Sequence, residues 1–159
     1  MTDISSLQKQ QVPSLESPKS LGEHSPKLVS VEQAEDSLAT VGQLMRSTAQ
    51  AIQRLYRDRL GHTPSRVTCD LLKDKLLVWA DNSVTPTERV LYQSGSSELT
   101  AVNVAIKSNM RGSVIDIIER HLKVKVVTLL SDACYEHECT AIVALLSDPP
   151  QTRPTRTRY

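Results

Sequence analysis

The chain has no phenylalanine and a single tryptophan, and aromatic residues make up only 3% of it. A hydrophobic core built from this sequence must therefore be aliphatic, because the large rings that fill many protein interiors are almost absent. Long apolar runs are also missing, and none approaches the roughly 20 residues that a membrane-spanning helix needs. The sequence predicts no transmembrane segment.

The net charge is close to zero and the cysteines are few. The 19 basic and 18 acidic residues leave a formal charge of +1 at pH 7, which gives no general attraction to nucleic acid or to an anionic membrane. Three cysteines cannot all pair within one chain, and they are too few for a disulfide-rich secreted scaffold. The N-terminal residues do not resemble a secretory signal. We therefore expect a protein of the reducing cytoplasm that is at most peripheral to the membrane.

The composition changes along the chain and predicts one folded domain between two tails. Residues 1–29 are rich in Ser, Gln, Lys and Pro, and they cannot bury enough apolar surface to offset the entropy of ordering them. Residues 30–147 are predicted to form the domain. Residues 148–159 are predicted to be a disordered basic tail that serves solubility, the alternative being contact with phosphates or anionic lipid.

A long helix is predicted at the start of the domain, over residues 31–60. Ser30 and Gln33 have the spacing of a capping box, and Gly61 followed by Pro64 ends the helix. Apolar or small residues alternate at steps of three and four along it: Val31, Ala34, Leu38, Val41, Met45, Thr48, Ile52 and Leu55. Two interpretations stay open, a helix lying on its own sheet and a helix whose N-terminal half pairs with a second copy as a homodimer.

A β-hairpin is predicted next. Val67, Cys69 and Leu71 alternate with polar residues, as in a half-buried strand, and residues 73–74 make the turn. The returning strand, residues 75–80, is apolar on both faces, which is typical of a central, covered strand. Cys69 is interpreted as a small core residue.

Two helices follow the hairpin. Thr85 is a good N-cap, Pro86 suits the first helical position, and Glu88 completes a capping box. That helix is short, because a Ser/Gly-rich segment interrupts it. A second helix is predicted from Glu98 to about Leu122, with an apolar stripe on one side.

A second hairpin is predicted to end the domain, with strands over residues 123–130 and 139–146 and a polar loop over 131–138. The element order is helix, strand, strand, helix, helix, strand, strand. This order predicts a small two-layer α+β domain, with a mostly antiparallel four-stranded sheet covered by helices on one face. The order of the strands within the sheet is left open.

The densest group of chemically active side chains lies in the last predicted loop. Cys134 and His137 have a C-x-x-H spacing, and Cys139 could add a third metal ligand. Structural zinc sites take four ligands, usually from two separated pairs, and the chain has no second pair. We predict an exposed hairpin loop and no bound metal, with metal binding as the alternative.

No catalytic residue or cofactor is predicted. His121 and Asp132 could act as an acid–base pair, but a histidine at a helix C-terminus and an aspartate in a turn have ordinary structural explanations. The chain contains no glycine-rich phosphate loop and no nucleophile elbow. The sequence therefore favours a non-enzyme.

An ordered set of short motifs resembles the bacterial MpsC family over about residues 40–146. The motifs are Gly-His-Thr-Pro at 61–64, Val-Thr-Pro-Thr-Glu at 84–88, Ile-Ile-Glu at 117–119, Val-Lys-Val at 124–126 and Leu-Ser-Asp at 130–132. The positions that carry the resemblance are Gly61, Pro64, Thr85, Pro86, Glu88, Ser131 and Asp132. The chain departs from the family pattern at two positions. His62 stands where a small basic residue and glycine often precede the proline, and Lys123 stands where the family tends to have glycine.

The resemblance implies a small accessory or regulatory protein of a system described as sodium-translocating, membrane-potential-generating and linked to inorganic-carbon uptake. Such a protein would work through contacts with a protein partner, for example a membrane transport complex. The alternative is a small nucleic-acid-binding or transcription-associated module. Near-zero net charge and the lack of stacking aromatics on the strands disfavour that alternative, so no nucleic acid is expected as a partner.

Overall fold

The computed structural model describes residues 38–153. These residues form three helices and four strands in the predicted α-β-β-α-α-β-β order, and the α+β class is confirmed. In chain order the elements are α1 (Val41–Leu60), β1 (Arg66–Leu72), β2 (Lys75–Asp81), α2 (Pro86–Gln93), α3 (Glu98–Leu122), β3 (Val126–Cys134) and β4 (Cys139–Leu146).

Helix α1 begins later than the sequence suggests. Its N-cap is Thr40, whose backbone is extended, and Thr40 and Gln43 form a reciprocal capping box with hydrogen bonds of 3.2 and 2.9 Å. The predicted helix over 31–60 is therefore wrong at its N-terminal end, because the residues just before Val41 are not helical. The predicted box at Ser30 lies outside the described residues.

The described part of α1 lies on its own domain. Its buried residues pack against β1 and α3, and they include Met45, Ile52 and Tyr56. Self-pairing of the segment before Leu38 stays a prediction. The chain beyond β4 returns to the start of this helix, where the Arg153 backbone N–H donates to the Ala39 carbonyl at 3.1 Å.

The four strands form one antiparallel sheet in the order β1-β2-β4-β3. The two hairpins therefore join through β2 and β4, and Val78 at the centre lies opposite Cys69 on one side and Ile142 on the other. The predicted central position of the second strand is confirmed. Its predicted covering on both faces is wrong for residues 38–153, because the helices described there pack on one face and Trp79 is 41% exposed on the other.

Strand β3 is longer than predicted at its C-terminal end. Ser131 and Asp132 lie within the strand, and the connecting turn is confined to residues 135–138. The predicted loop over 131–138 is wrong in its first half. Strand β4 begins at Cys139, and its first residues pair with the end of β3, up to Cys134, so β3 continues to that residue.

The core lies between the helices and the inner face of the sheet. It is mainly aliphatic, as predicted, and it also contains the ring of Tyr56. Its most deeply buried large side chains include Ile52, Leu76, Val78, Val114 and Ile118. The C-terminal half of α3 supplies most of the buried positions of that helix.

Candidate functional site

A buried carboxylate marks the start of α2. Glu88 is only 4% exposed, which is rare for an acidic side chain. Its Oε2 accepts hydrogen bonds from the Thr85 backbone N–H at 2.9 Å and from Thr85 Oγ1 at 2.7 Å. Pro86 occupies the first turn of the helix. The predicted capping box is confirmed, and its unusual property is that it lies inside the fold.

Tyr135, from the turn between β3 and β4, extends over this carboxylate. Its ring stacks on Tyr92 of α2 with the ring centroids 5.5 Å apart. The hydroxyl is buried near Glu88, and it is the one buried side-chain oxygen or nitrogen in residues 38–153 that has no hydrogen bond of good geometry. Burial, followed by the negative charges of Glu88 and Asp132, raises the pKa of Tyr135 to about 12.

The same turn is tied to α2 by an ion pair. The Arg89 guanidinium donates to both carboxylate oxygens of Glu138, with its Nη2 lying 2.9 Å from Oε2. The Glu138 carbonyl accepts from the Ser83 backbone N–H at 2.9 Å. Because a bidentate arginine–carboxylate pair fixes orientation, these bonds hold the turn in one position on α2.

A small cavity lies below this polar cluster, between α3 and the inner face of the sheet. Its volume is about 40 Å³, with apolar walls from side chains such as Met110 and Ile142. At the polar end, Ser83 Oγ donates to Thr140 Oγ1 at 2.7 Å, and burial raises the pKa of the neighbouring Tyr56 hydroxyl. A water molecule needs about 10–15 Å³ of such space and a metabolite site a few hundred, so the cavity suits a few water molecules.

The three candidate metal ligands do not come together as one group in the structure. Cys134 and Cys139 lie directly opposite each other across the hairpin, Cys134 being exposed and Cys139 buried. His137 is exposed in the turn. Nowhere in the described part of the chain do three His, Cys, Asp or Glu side chains come together in a group that could hold a metal ion.

His121 and Asp132 each have a partner of their own. His121 Nδ1 lies 2.8 Å from the Ile117 carbonyl at the end of α3, the placement expected for a histidine in a last helical turn. Asp132 accepts from Lys107 Nζ at 2.7 Å, and that lysine holds the pKa of the carboxyl below its usual range.

The remaining family-motif positions shape the backbone. Gly61 ends α1 in the left-handed region at φ 63°, where glycine is favoured, and its N–H donates to the Arg57 carbonyl. Pro64 is fully buried, and its carbonyl accepts from Gln53 Nε2 at 2.9 Å. Ser131 is half-buried beside the cavity.

The second candidate site is the outer face of the sheet, the side opposite the helices. Leu72 and Leu130 are 65% and 67% exposed there, and Trp79 and Val143 about 40%. The register makes this surface continuous, since Val143 lies between Leu77 and Leu130 in neighbouring strands. Apolar and charged residues of this outer face alternate with core residues along the strands: Arg66, Asp70, Leu72, Lys75, Leu77, Trp79, Asp81, Leu130, Asp132, Ala141, Val143 and Leu145.

Sequence reasoning missed the outer face, although the signal was visible. Apolar residues on both sides of β2 predict a covered strand, whereas in the described part of the chain the outer side of β2 carries the exposed Trp79. The exposed Trp79 also contradicts the expectation that the strands lack an aromatic ring available for stacking. Contiguous exposed apolar surface of this kind marks contact sites on soluble domains.

Fold and surface together define a small two-layer α+β domain with a buried polar cluster and an open apolar sheet face. A family model described as "Na+-translocating membrane potential-generating system (MpsC)" matches residues 40–148. The chain belongs to the MpsC family, and this membership associates it with a membrane potential-generating system. No curated protein and no solved structure matches the chain. Within residues 38–153, none of the helices has both the length and the apolar character needed to cross a bilayer.

Proposed function

We propose that the chain is a non-catalytic accessory or regulatory protein of a membrane ion-translocating and inorganic-carbon uptake system, acting in the cytoplasm through protein–protein contacts. The observation that carries this proposal is the family match over residues 40–148. That match links the chain to a membrane potential-generating system. The connection to inorganic-carbon uptake and the accessory role are our inference, and the character of the chain's surfaces supports the accessory role.

The outer face of the sheet is the surface proposed to bind the partner. Its apolar centre around Trp79 and Val143 has charged residues of both signs at its margins, including Arg66, Lys75 and Asp81. This arrangement of an apolar centre and a polar rim is the usual anatomy of a protein interface. The proposed occupant is a subunit of the membrane system that presents an apolar strip.

The magnitude of burial makes such binding feasible. Complete burial of one leucine-sized side chain contributes about 1.5–3 kcal/mol. Leu72 and Leu130 are each about two-thirds exposed, so covering both would contribute about 2–4 kcal/mol before any contribution from Trp79. This is enough for these residues to dominate a specific contact.

The polar cluster supports a non-catalytic role. Glu88 is engaged by both donors of Thr85, and the adjoining cavity of about 40 Å³ has room for water but not for a metabolite. The cluster therefore has the properties of a structural anchor for α2 and the β3–β4 turn.

Affinity purification of the tagged full chain from detergent-solubilised membranes of its native host tests the proposal. We expect the wild-type protein to co-purify with subunits of the membrane system. Leu130→Asp should reduce that recovery at least tenfold, because it places a charge in the proposed contact. Val104→Asp is the matched control, since Val104 is also an exposed apolar residue but lies on α3.

The proposal fails if the wild-type chain is recovered alone. The assignment of the outer face fails if both variants co-purify as well as wild type. Light scattering on the purified chain adds a further check, because a homodimer lost in Leu130→Asp would show that a second copy, and not a membrane subunit, covers the outer face.

A further inference from the structure

Two of the three cysteines form a neighbouring pair at the end of the second hairpin. Cys134 and Cys139 are the last ladder partners before the turn, directly opposite each other in register. Side chains of directly opposite residues project to the same side of a sheet, and their Cα atoms lie about 4.5–5.5 Å apart. This spacing falls within the range of about 4.4–6.8 Å found for disulfides. The two thiols are free, and Cys134 lies close enough to Cys139 to influence its pKa.

The members of the pair differ in accessibility. Cys134 is exposed, so a reagent in solution can reach its sulfur, while Cys139 is buried. Burial, followed by the proximity of Cys134 and the charge of Asp81, raises the pKa of the Cys139 thiol. Because the thiolate is the nucleophile in exchange reactions, Cys134 is suited to react first and Cys139 to react only with its neighbour.

The third cysteine has no such neighbour. Cys69 lies on β1, and β2 separates it from β4 and from the cysteine pair. Burial raises the pKa of Cys69 to about 12, which leaves it almost wholly protonated near neutral pH. Cys69 therefore provides an internal control of the same chemistry within the same molecule.

We propose that Cys134 and Cys139 form a reversible disulfide, made by exchange with a low-molecular-weight disulfide such as oxidised glutathione. The Cys134 thiolate attacks one sulfur of the reagent, forming a mixed disulfide and releasing one glutathione thiolate, which takes up a proton. Cys139 then loses its proton and attacks the Cys134 sulfur, and the second glutathione leaves. Two protein thiols are oxidised, and one small disulfide is reduced to two thiols.

The position of the pair gives this bond a structural consequence. The disulfide would close the turn of residues 135–138, which carries Tyr135 and Glu138 to their contacts with α2. Its sulfur atoms would also lie at the margin of the outer face, next to Asp81, the register partner of Cys139. Oxidation would therefore restrict the turn that connects the polar cluster with the outer face.

The test uses the reduced full chain, incubated at neutral pH over a series of reduced-to-oxidised glutathione ratios. Free thiols are then trapped in denaturant with an alkylating reagent and counted by mass spectrometry. In wild type we expect the count to fall from three to one, with Cys69 alkylated and a peptide linked through Cys134 and Cys139. Reduction should restore all three thiols.

Single variants separate the two steps. Cys139→Ser should accumulate glutathione on Cys134, because the second attack is missing. Cys134→Ser should keep both remaining thiols free, and Cys69→Ser should form the disulfide as wild type does.

Three outcomes would overturn the proposal. The first is a count that stays at three in the most oxidising buffer. The second is equal glutathione uptake by Cys134→Ser and Cys139→Ser. The third is a disulfide that links two chains, seen as a dimer on a non-reducing gel.

Discussion

Helices α1 and α2 both begin with a capping box, one exposed and one buried. Comparing the stability lost when each N-cap hydroxyl is removed therefore measures how much burial strengthens the box of α2. The box at the start of α1 pairs Thr40 with the neutral side chain of Gln43, and its hydrogen bonds are exposed. The box at the start of α2 pairs Thr85 with Glu88, and its hydrogen bonds are buried. We predict that Thr85→Ala lowers the free energy of unfolding much more than Thr40→Ala.

The expected magnitudes follow from the bonds that are lost. Loss of an N-cap hydroxyl costs about 0.5–2 kcal/mol, and the exposed Thr40 should lie at the lower end, about 0.5–1 kcal/mol. Thr85→Ala removes the cap and also one of the two donors to a carboxylate that water barely reaches. Leaving a buried charged group short of a partner adds about 1–2 kcal/mol, for a total of about 1.5–4 kcal/mol.

Urea unfolding at pH 7 gives both values, with the fluorescence of the single Trp79 and far-ultraviolet circular dichroism as the two probes. Coincident transitions and equal m-values would justify the comparison. Thr85→Ser keeps the hydroxyl and should stay within about 1 kcal/mol of wild type. If Thr85→Ala and Thr40→Ala agree within about 0.5 kcal/mol, the burial of Glu88 does not strengthen its box, and the reasoning is refuted.

Three further predictions concern the core, a helix end and alkaline pH. Ile118→Ala should lower the free energy of unfolding measured in urea by about 2–5 kcal/mol, because Ile118 is fully buried. Val104→Ala should change the same quantity by less than about 0.5 kcal/mol, because Val104 is exposed. Equal losses in the two variants would contradict the burial pattern. Gly61→Ala should cost about 1 kcal/mol through its left-handed backbone alone, because nothing lies near the added Cβ; an unchanged denaturation midpoint would contradict this. Because the pKa of Tyr135 is raised, its contribution to stability is complete below the unfolded-state pKa near 10 and is lost as pH rises toward about 12. Tyr135→Phe should therefore lose less stability than wild type between these two pH values. Parallel pH profiles of the two proteins would show that Tyr135 does not cause the loss.

Local sequence signals located most elements but could not choose between equivalent starts for α1. Ser30 with Gln33 and Thr40 with Gln43 offer the same capping chemistry. The structure uses Thr40, and the neighbouring Ala39 carbonyl accepts a bond from the backbone of Arg153. That bond joins residues far apart in the chain, so no local pattern could reveal it.

The end of β3 shows the same limitation in a sheet. Ser131 and Asp132 are polar and favour a turn when considered alone. In the fold Ser131 faces the cavity and Asp132 lies on the outer face, so both continue the alternation of the strand. The pairing requirement of β4 decided the strand length, and pairing is a property of two segments together.

The candidate site was predictable only in part for a related reason. The box formed by Thr85 and Glu88 follows from their spacing, and the sequence located it correctly. The proximity of Glu88 to Tyr135 does not follow from spacing, because Tyr135 reaches the carboxylate from a turn about fifty residues further along the chain. The register of Cys134 with Cys139 likewise depends on the length of β3.

Different residues determine the stability of the fold and the proposed partner contact at the outer face. The inner face supplies the fully buried side chains, such as Leu76 and Val78, whose loss would leave cavities in the core. Leu130 and Leu72 retain most of their exposure, so polar substitutions there should cost the isolated chain little. A large loss of partner binding in Leu130→Asp together with an unchanged denaturation midpoint would therefore assign the outer face to association, whereas a proportional loss of both would assign it to the fold.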